Sequence, residues 1–328
     1  MKAIVCAQYG SPVVMQLREV PKPVPKPNEV LIKIHAATVT TGDCEIRRFD
    51  IPILFWLPLR LILGIRRPRR GIWGQEFAGE VEACGSKATL FRRGDPVFGP
   101  TTIGLGAYAQ HICVPESHLT KFTLKTMTYA EAATIPTGGI NALHFTRKAN
   151  IKPGETVLIN GAGGSIGTYA LQFGKSSCAE VTCVDSRSKL IMLRALGATD
   201  VIDYAEDDFT KDGRAYDVII DVVGKSSFSR SVRCLKPHGR YVLGNPSFSG
   251  MLQALWTSIT SNKKIIFEMA TYKTEDRIFI KELMETGKLK SVIDKHYQLE
   301  EVAEAHRYVE AGLKVGNVVI LVSHQEVS

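Results

Sequence analysis

Thr156-Val-Leu-Ile-Asn-Gly161-Ala-Gly163-Gly164-Ser-Ile-Gly167 is the stretch whose reading decides the fold. Val157, Leu158 and Ile159 read as a buried strand. The glycines break that strand into a turn, and residues 168–175 continue as a helix. Residues without side chains let the backbone approach the oxygens of a diphosphate. A helix N-terminus adds unpaired N–H groups and a positive dipole. The candidate cradle is therefore Gly161, Ala162, Gly163, Gly164, Ser165, Ile166 and Gly167. Its spacing is one residue longer than the usual G-x-G-x-x-G, and such a loop alone is a weak signal. A plain turn between strand and helix is the simpler account. It leaves unexplained a second strand over 181–184 that ends in Asp185. An acid about twenty residues on is where a Rossmann unit places its ribose ligand.

A chain of 328 residues suggests roughly two domains. A hydrophobic content of 45% and a charged content of 23% are those of an ordinary soluble globular protein. No run reaches the roughly eighteen apolar residues that span a bilayer. Met1-Lys-Ala-Ile-Val-Cys6 reads as a strand and not as a signal peptide. The seven cysteines are odd in number and scattered, with no C-x-x-C. That pattern predicts reduced thiols and a cytoplasmic setting. The net charge is +8, part of it gathered at Arg66, Arg67, Arg69 and Arg70. A solvated basic loop is the simplest account; an anionic membrane surface or a phosphate-rich ligand are the alternatives. With no aromatic–basic platform and no zinc-finger spacing, nucleic acid is not an expected partner.

Residues 1–122 are β-rich. Val30-Leu-Ile-Lys-Ile-His-Ala36 alternates, and Pro21–Pro27, Gly94-Asp-Pro96 and Gly104–Gly106 punctuate short strands, as a β-barrel requires. From residue 123 helices and strands alternate, which predicts an α/β doubly wound parallel sheet covered on both faces. The tail from residue 272 returns to the first domain. The expected division is 1–122 with 272–328 as a substrate domain and 123–271 as a dinucleotide-binding domain. One segment resists the scheme: Ile51-Pro-Ile-Leu-Phe-Trp-Leu-Pro-Leu-Arg-Leu-Ile-Leu-Gly-Ile65 is strongly apolar and runs into the arginines. Packing, or a lid over the substrate, is the favoured reading. Peripheral membrane contact is the alternative, although Pro52 and Pro58 weaken a long amphipathic helix.

The order of these parts resembles the medium-chain dehydrogenase/reductase superfamily, in its zinc-independent quinone oxidoreductase (zeta-crystallin-like) branch. The resemblance covers nearly the whole length. Its most specific piece is Gly154 to Gly167 followed by Gln172 and Lys175, with Ser165 where the branch has a glycine. Supporting matches are Gly74-Gln-Glu-Phe-Ala-Gly-Glu-Val81, Gly94-Asp-Pro-Val-Phe-Gly99, Ala132-Ala-Thr-Ile-Pro-Thr-Gly138, Leu196-Gly-Ala-Thr-Asp-Val-Ile-Asp-Tyr204 and His306-Arg-Tyr-Val-Glu310. It implies a GroES-like β-barrel domain, a Rossmann domain, a cleft between them, a nicotinamide cofactor, a small-molecule quinone or enone as substrate and, in many relatives, a homodimer.

Zinc alcohol dehydrogenases of the superfamily carry Gly-His-Glu where this chain has Gly74-Gln75-Glu76. Glutamine is a poor zinc ligand. The zinc branch also sets a cysteine ahead of the acid matching Asp43, whereas here Cys44 follows it. No metal is therefore expected. By resemblance Thr137 borders the nicotinamide, between Pro136 and Gly138. Tyr204 flanks the adenine, Val222 and Val223 border the cofactor, and Gly244 and Asn245 reach the nicotinamide end. Asp185 suits the ribose hydroxyls of NAD(H), while Ser186, Arg187 and Lys189 suit a 2′-phosphate. Family similarity favours NADP(H), with NAD(H) open. Asn317 stands where the family often has lysine.

The tyrosine that branch members carry shortly after the Asp43-like position is missing. Thr40, Thr41 and Asp43 remain as candidates for polar contact with substrate; a strand-end or helix-cap role accounts for each equally. Arg47 reads as a solvated arginine or an anion ligand. The leading expectation is a zinc-independent NAD(P)H-dependent reductase of quinones or α,β-unsaturated carbonyls. Its rivals are a zinc-free alcohol/aldehyde dehydrogenase on the same fold and a non-enzymatic, membrane-peripheral NADPH-binding protein.

Overall fold

The structure, a computed structural model, describes residues 1–51, 53–69, 71–101, 105–246 and 248–324. Pro52, Arg70 and Gly104 of the sequence reading lie outside the described residues. The chain forms two compact units: Met1–Thr137 with Tyr272–Ser328, and Gly138–Thr271.

The first unit opens with strands β1 (Lys2–Cys6), β2 (Met15–Glu19) and β3 (Glu29–Val39). Helices α1 (Thr41–Arg48) and α2 (Ile53–Leu63) follow, then β4 (Glu76–Cys84), β5 (Pro96–Pro100), β6 (His111–Pro115), β7 (Thr120–Lys121) and α3 (Tyr129–Ala133). The second unit runs α4 (Ile140–Ala149), β8 (Thr156–Asn160), α5 (Ser165–Ser176), β9 (Glu180–Asp185), α6 (Arg187–Ala195), β10 (Asp200–Asp203), β11 (Tyr216–Asp221), α7 (Phe228–Arg233), β12 (Leu235–Leu243), α8 (Phe248–Thr260) and β13 (Lys264–Ile266). The chain then returns to the first unit with α9 (Thr274–Glu285), β14 (Ile293–Gln298), α10 (Val302–Glu310) and β15 (Asn317–Leu321).

In the first unit β14, β15, β3, β4, β5 and β7 lie side by side, and β6 also pairs with β3. Long β3 is the hub: it pairs antiparallel with β15, β4 and β6. Its inward residues Val30, Ile32, Ile34 and Val39 join Phe77, Val81, Tyr108 and Val318 in the core. Residues 123–137 belong to this unit, although helix–strand alternation alone draws the boundary at 122. Helix α3 starts on a capping box, Thr128 with Glu131. The ring of its Tyr129 stacks on His35 of β3 at 4.4 Å, which ties the segment to the barrel side.

The second unit carries a wholly parallel sheet in the order β10-β9-β8-β11-β12-β13. This is the doubly wound order with its switch point between β8 and β11. Val157, Leu158 and Ile159 are fully buried because β8 is central and helices cover both faces, so the three inner positions of the strand are all apolar. The C-terminal ends of β8, β9, β11 and β12 gather along one edge, where ligands bind in such sheets. No helix among the described residues is long and apolar enough to cross a membrane.

Candidate functional site

The glycine loop leaves the end of β8 with Gly161 at φ +83°, in the left-handed region. A Cβ there would sit 2.2 Å from Val223 Cγ2. A Cβ on Gly167 would lie 2.3 Å from the Gly161 carbonyl oxygen, so only glycine lets α5 start so close to the strand. Gly164 is different: a Cβ on it would meet nothing nearer than Gly161 O at 3.8 Å. No side chain caps α5 at this residue. Open space facing an uncapped helix start fits a diphosphate, whose oxygens the first amides of α5 would receive. Ala162, Gly163, Ser165 and Ile166 complete that loop and first turn.

Asp185 ends β9 with its side chain buried and hydrogen-bonded through both oxygens. Its Oδ2 accepts the backbone N–H of Gly163 at 2.7 Å, and Oδ1 accepts that of Ser186 at 2.8 Å. Lys189, one turn into α6, brings Nζ to 2.9 Å from Oδ1. The lysine is itself buried, and its stem runs past Gly163, where a Cβ would meet Lys189 Cδ at 2.5 Å. Acid and lysine therefore neutralise each other and pin the glycine loop. Arg187 points elsewhere: it is exposed and pairs with Glu206 at 2.6 Å. Ser186 Oγ lies 3.3 Å from Ser188 Oγ. Tyr204 is exposed at the end of β10.

Val222, Val223, Gly244 and Asn245 stand past the ends of β11 and β12. Sequence reading gave no role to Asp221, which organises them. Its buried Oδ1 accepts Asn160 Nδ2 at 3.0 Å, Val223 N at 3.2 Å and Gly224 N at 2.8 Å. Oδ2 accepts the Tyr241 hydroxyl at 2.9 Å. Gly244 N donates to Asp221 O at 2.8 Å. In the sequence its one mark is an acid that ends the apolar run Val218-Ile-Ile.

In the first unit the candidates Thr40, Thr41 and Asp43 surround the start of α1. Thr40 and Asp43 close a capping box: Asp43 N donates to Thr40 Oγ1 at 3.1 Å, and Thr40 N donates to Asp43 Oδ2 at 2.8 Å. Thr41 is exposed. Gln75 Nε2 donates to Thr40 Oγ1 at 3.3 Å. Burial pushes the Asp43 carboxyl up, against hydrogen bonds from Thr40 and Gln75 and the charge of Lys314. Lys314 is buried three residues ahead of Asn317, the place where a lysine was expected. Asn317 itself donates to Val292 O at 3.0 Å and holds the start of β15.

Glu76, on β4, is almost wholly buried. Oε1 accepts the Thr38 hydroxyl, and Oε2 accepts the backbone N–H of Thr137 at 2.6 Å. Burial raises its carboxyl to about 7. Among the residues brought together here, Thr137 was legible from the family resemblance; Glu76 as its anchor was not.

Cys44 and Arg47 of α1 meet α10. Cys44 Sγ lies 3.3 Å from His306 Nδ1, and burial pushes its thiol up to about 12. Arg47 is not solvated. It is completely buried, with Nε donating to His306 Nδ1 at 3.3 Å, Nη1 to Gly10 O and Nη2 to Glu310 Oε1. Cys44 and Glu76 thus face different partners and do not share a ligand set. Among the described residues no three His, Cys, Asp or Glu side chains are grouped to hold a metal ion.

A family model described as "Alcohol dehydrogenase GroES-like domain" matches residues 26–124, and one described as "Zinc-binding dehydrogenase" matches residues 196–320. The chain is 29% identical to a protein of Sulfurisphaera tokodaii named NAD-dependent alcohol dehydrogenase, over 98% of this chain and 100% of that one. It is 29% identical to a quinone oxidoreductase of Pseudomonas aeruginosa, over 98% and 99%. The solved structure of the quinone oxidoreductase from Coxiella burnetii superposes with a TM-score of 0.89 at 28% identity, covering 98% of this chain and 99% of that one.

Proposed function

The chain belongs to the medium-chain dehydrogenase/reductase superfamily, in its quinone oxidoreductase-like branch, and from that premise we propose that it is a zinc-independent NAD(H)-dependent reductase of quinones or α,β-unsaturated carbonyls. One observation supports this above the others. Where related alcohol dehydrogenases offer imidazole and thiolate, this chain offers the hydrogen-bonded set Gln75, Thr40 and Asp43. Amide and hydroxyl groups polarise an oxygen by hydrogen bonding and are poor ligands for zinc. An enone or quinone needs no more, because the charge arriving with hydride spreads onto oxygen.

The residues divide the work. The amides of residues 161–167 would hold the diphosphate, and Asp185 would accept from the ribose. When bound, the nicotinamide supplies the hydride. Glu76 fixes the Thr137 peptide that borders that ring. Gln75 is half-buried and its amide donates to Thr40 and to Asp43, so these three side chains would meet an acceptor oxygen as one polar set. The Asp185–Lys189 pair supports NAD(H) over the NADP(H) that family similarity favours. A 2′-phosphate would find the nearest cation already neutralised and a carboxylate beside it.

The test is steady-state oxidation of NADH and NADPH against a panel of quinones, enones, aldehydes and alcohols, with and without chelator. Quinone or enone turnover that survives the chelator is expected. Turnover confined to alcohols and aldehydes and abolished by chelation would overturn the reading. Tight cofactor binding with no turnover on any acceptor would favour a nucleotide-binding role instead.

A further inference from the structure

A different surface of the first unit carries chemistry that the site leaves unused. Among the described side chains of helix α2, Arg60 and Trp56 anchor it to the first unit. The Arg60 guanidinium lies 3.7 Å from the Phe49 ring centroid and 4.5 Å from that of Tyr9, and Arg60 Nη1 donates to Ile65 O at 2.9 Å. Trp56 meets Phe49 edge-on at 6.0 Å. On the neighbouring face Leu57 is 59% exposed and Leu61, one turn on, is 51% exposed; Ile65, just past the helix, is 60% exposed. Arg66, Arg67 and Arg69 follow at once and are exposed. Among the described residues none of the three forms an ion pair. The sequence holds no Asp or Glu between Asp50 and Glu76.

An apolar ridge bordered by unpaired guanidinium groups has the complementary chemistry to the boundary between acyl chains and anionic headgroups. Free apolar exposure alone would not choose an occupant; the one-signed charge beside it does. With eleven residues, roughly 16 Å of helix, α2 is too short to span a bilayer and suits an in-plane position. We propose that α2 and its arginine loop seat this protein on an anionic lipid surface, with the apolar ridge in the headgroup layer and Arg66, Arg67 and Arg69 on the lipid phosphates.

Flotation of the full chain with vesicles of phosphatidylcholine alone, or mixed with phosphatidylglycerol, tests this at low and high salt. Binding to the mixed vesicles at least tenfold above the neutral ones, and falling with salt, is expected. The variant Arg66→Gln/Arg67→Gln/Arg69→Gln should lose about a hundredfold in affinity for the mixed vesicles. Leu57→Glu/Leu61→Glu should lose binding to both kinds. All the substituted side chains are exposed, so both variants should keep the native melting temperature and NADH binding, which separates lipid docking from the cofactor reading above. Inorganic phosphate added to the mixed vesicles should compete only weakly; full competition would mark a free-phosphate site and overturn the proposal. So would native-chain binding that is absent, or binding that both variants retain. A dimer in sedimentation velocity that Leu57→Glu/Leu61→Glu splits, with no flotation, would assign the face to a second copy instead.

Discussion

Glu76 Oε2 accepts the backbone N–H of Thr137 at 2.6 Å, so a buried carboxyl on a barrel strand holds the loop expected to border the nicotinamide. Burial raises this carboxyl to about 7, with the charge of Asp43 acting in the same direction against the hydrogen bonds from Thr38 and Thr137. In the unfolded chain the group ionises near 4.5. Between those values the unfolded state has released its proton and the folded state has not, so stability is lost as pH rises from about 4.5 to about 7. Glu76→Gln stays neutral, can accept from Thr137 N and can donate to Thr38. The melting temperature of the variant minus that of the native chain should therefore grow by several degrees between about pH 4.5 and pH 7.5. A difference independent of pH would show that Glu76 is already ionised across that range.

Asp185→Ala releases both Lys189 and the Gly163 amide. The kcat/KM for NADPH should rise and that for NADH should fall, each by roughly tenfold or more, since a hydrogen bond to a charged group contributes about 1.5–3 kcal/mol. Lys189→Ala in the same background should cancel the gain with NADPH. Unchanged preference in Asp185→Ala would mean that neither dinucleotide meets this carboxylate.

Two glycines of one loop should respond oppositely to alanine. At Gly164 the added methyl has room, so Gly164→Ala should keep the fold to within about 1 kcal/mol and weaken dinucleotide binding at least tenfold by occupying the diphosphate's approach. At Gly167 the methyl would collide with the Gly161 carbonyl, and Gly167→Ala should cost about 1–3 kcal/mol of stability. Calorimetric titration beside thermal melts of both variants separates the effects. Equal binding in Gly164→Ala and the native chain would place the diphosphate elsewhere.

His306 gives the opposite pH dependence to Glu76. Burial, with the charge of Arg47 adding to it, lowers the imidazole to about 3. As pH falls through 6.5 the unfolded chain takes up this proton and the folded chain does not, so stability is lost progressively from about 6.5 towards 3. In His306→Gln that loss disappears. Its melting temperature should fall less than the native chain's between pH 7 and pH 5. Parallel falls would assign the acid sensitivity to other groups.

The buried run Val157–Ile159, the glycine turn and Asp185 made the parallel sheet and its candidate cofactor edge legible, because local spacing and periodicity specify them. The same is true of the β-rich first unit and the substitution at Gln75. Asp221, Lys314 and the anchoring of Thr137 by Glu76 were not legible, since each depends on partners far apart in sequence.

The chain's local order of strands, turns and helices was thus written in the residues themselves, through side-chain periodicity and backbone freedom at glycine. Whether a charge is spent or available was decided only by folding. Arg47, read as solvated, ends completely buried against Glu310, and Lys189, read as a phosphate ligand, ends against Asp185. Burial and electrostatic pairing are set by distance in space, and one-dimensional spacing does not encode it.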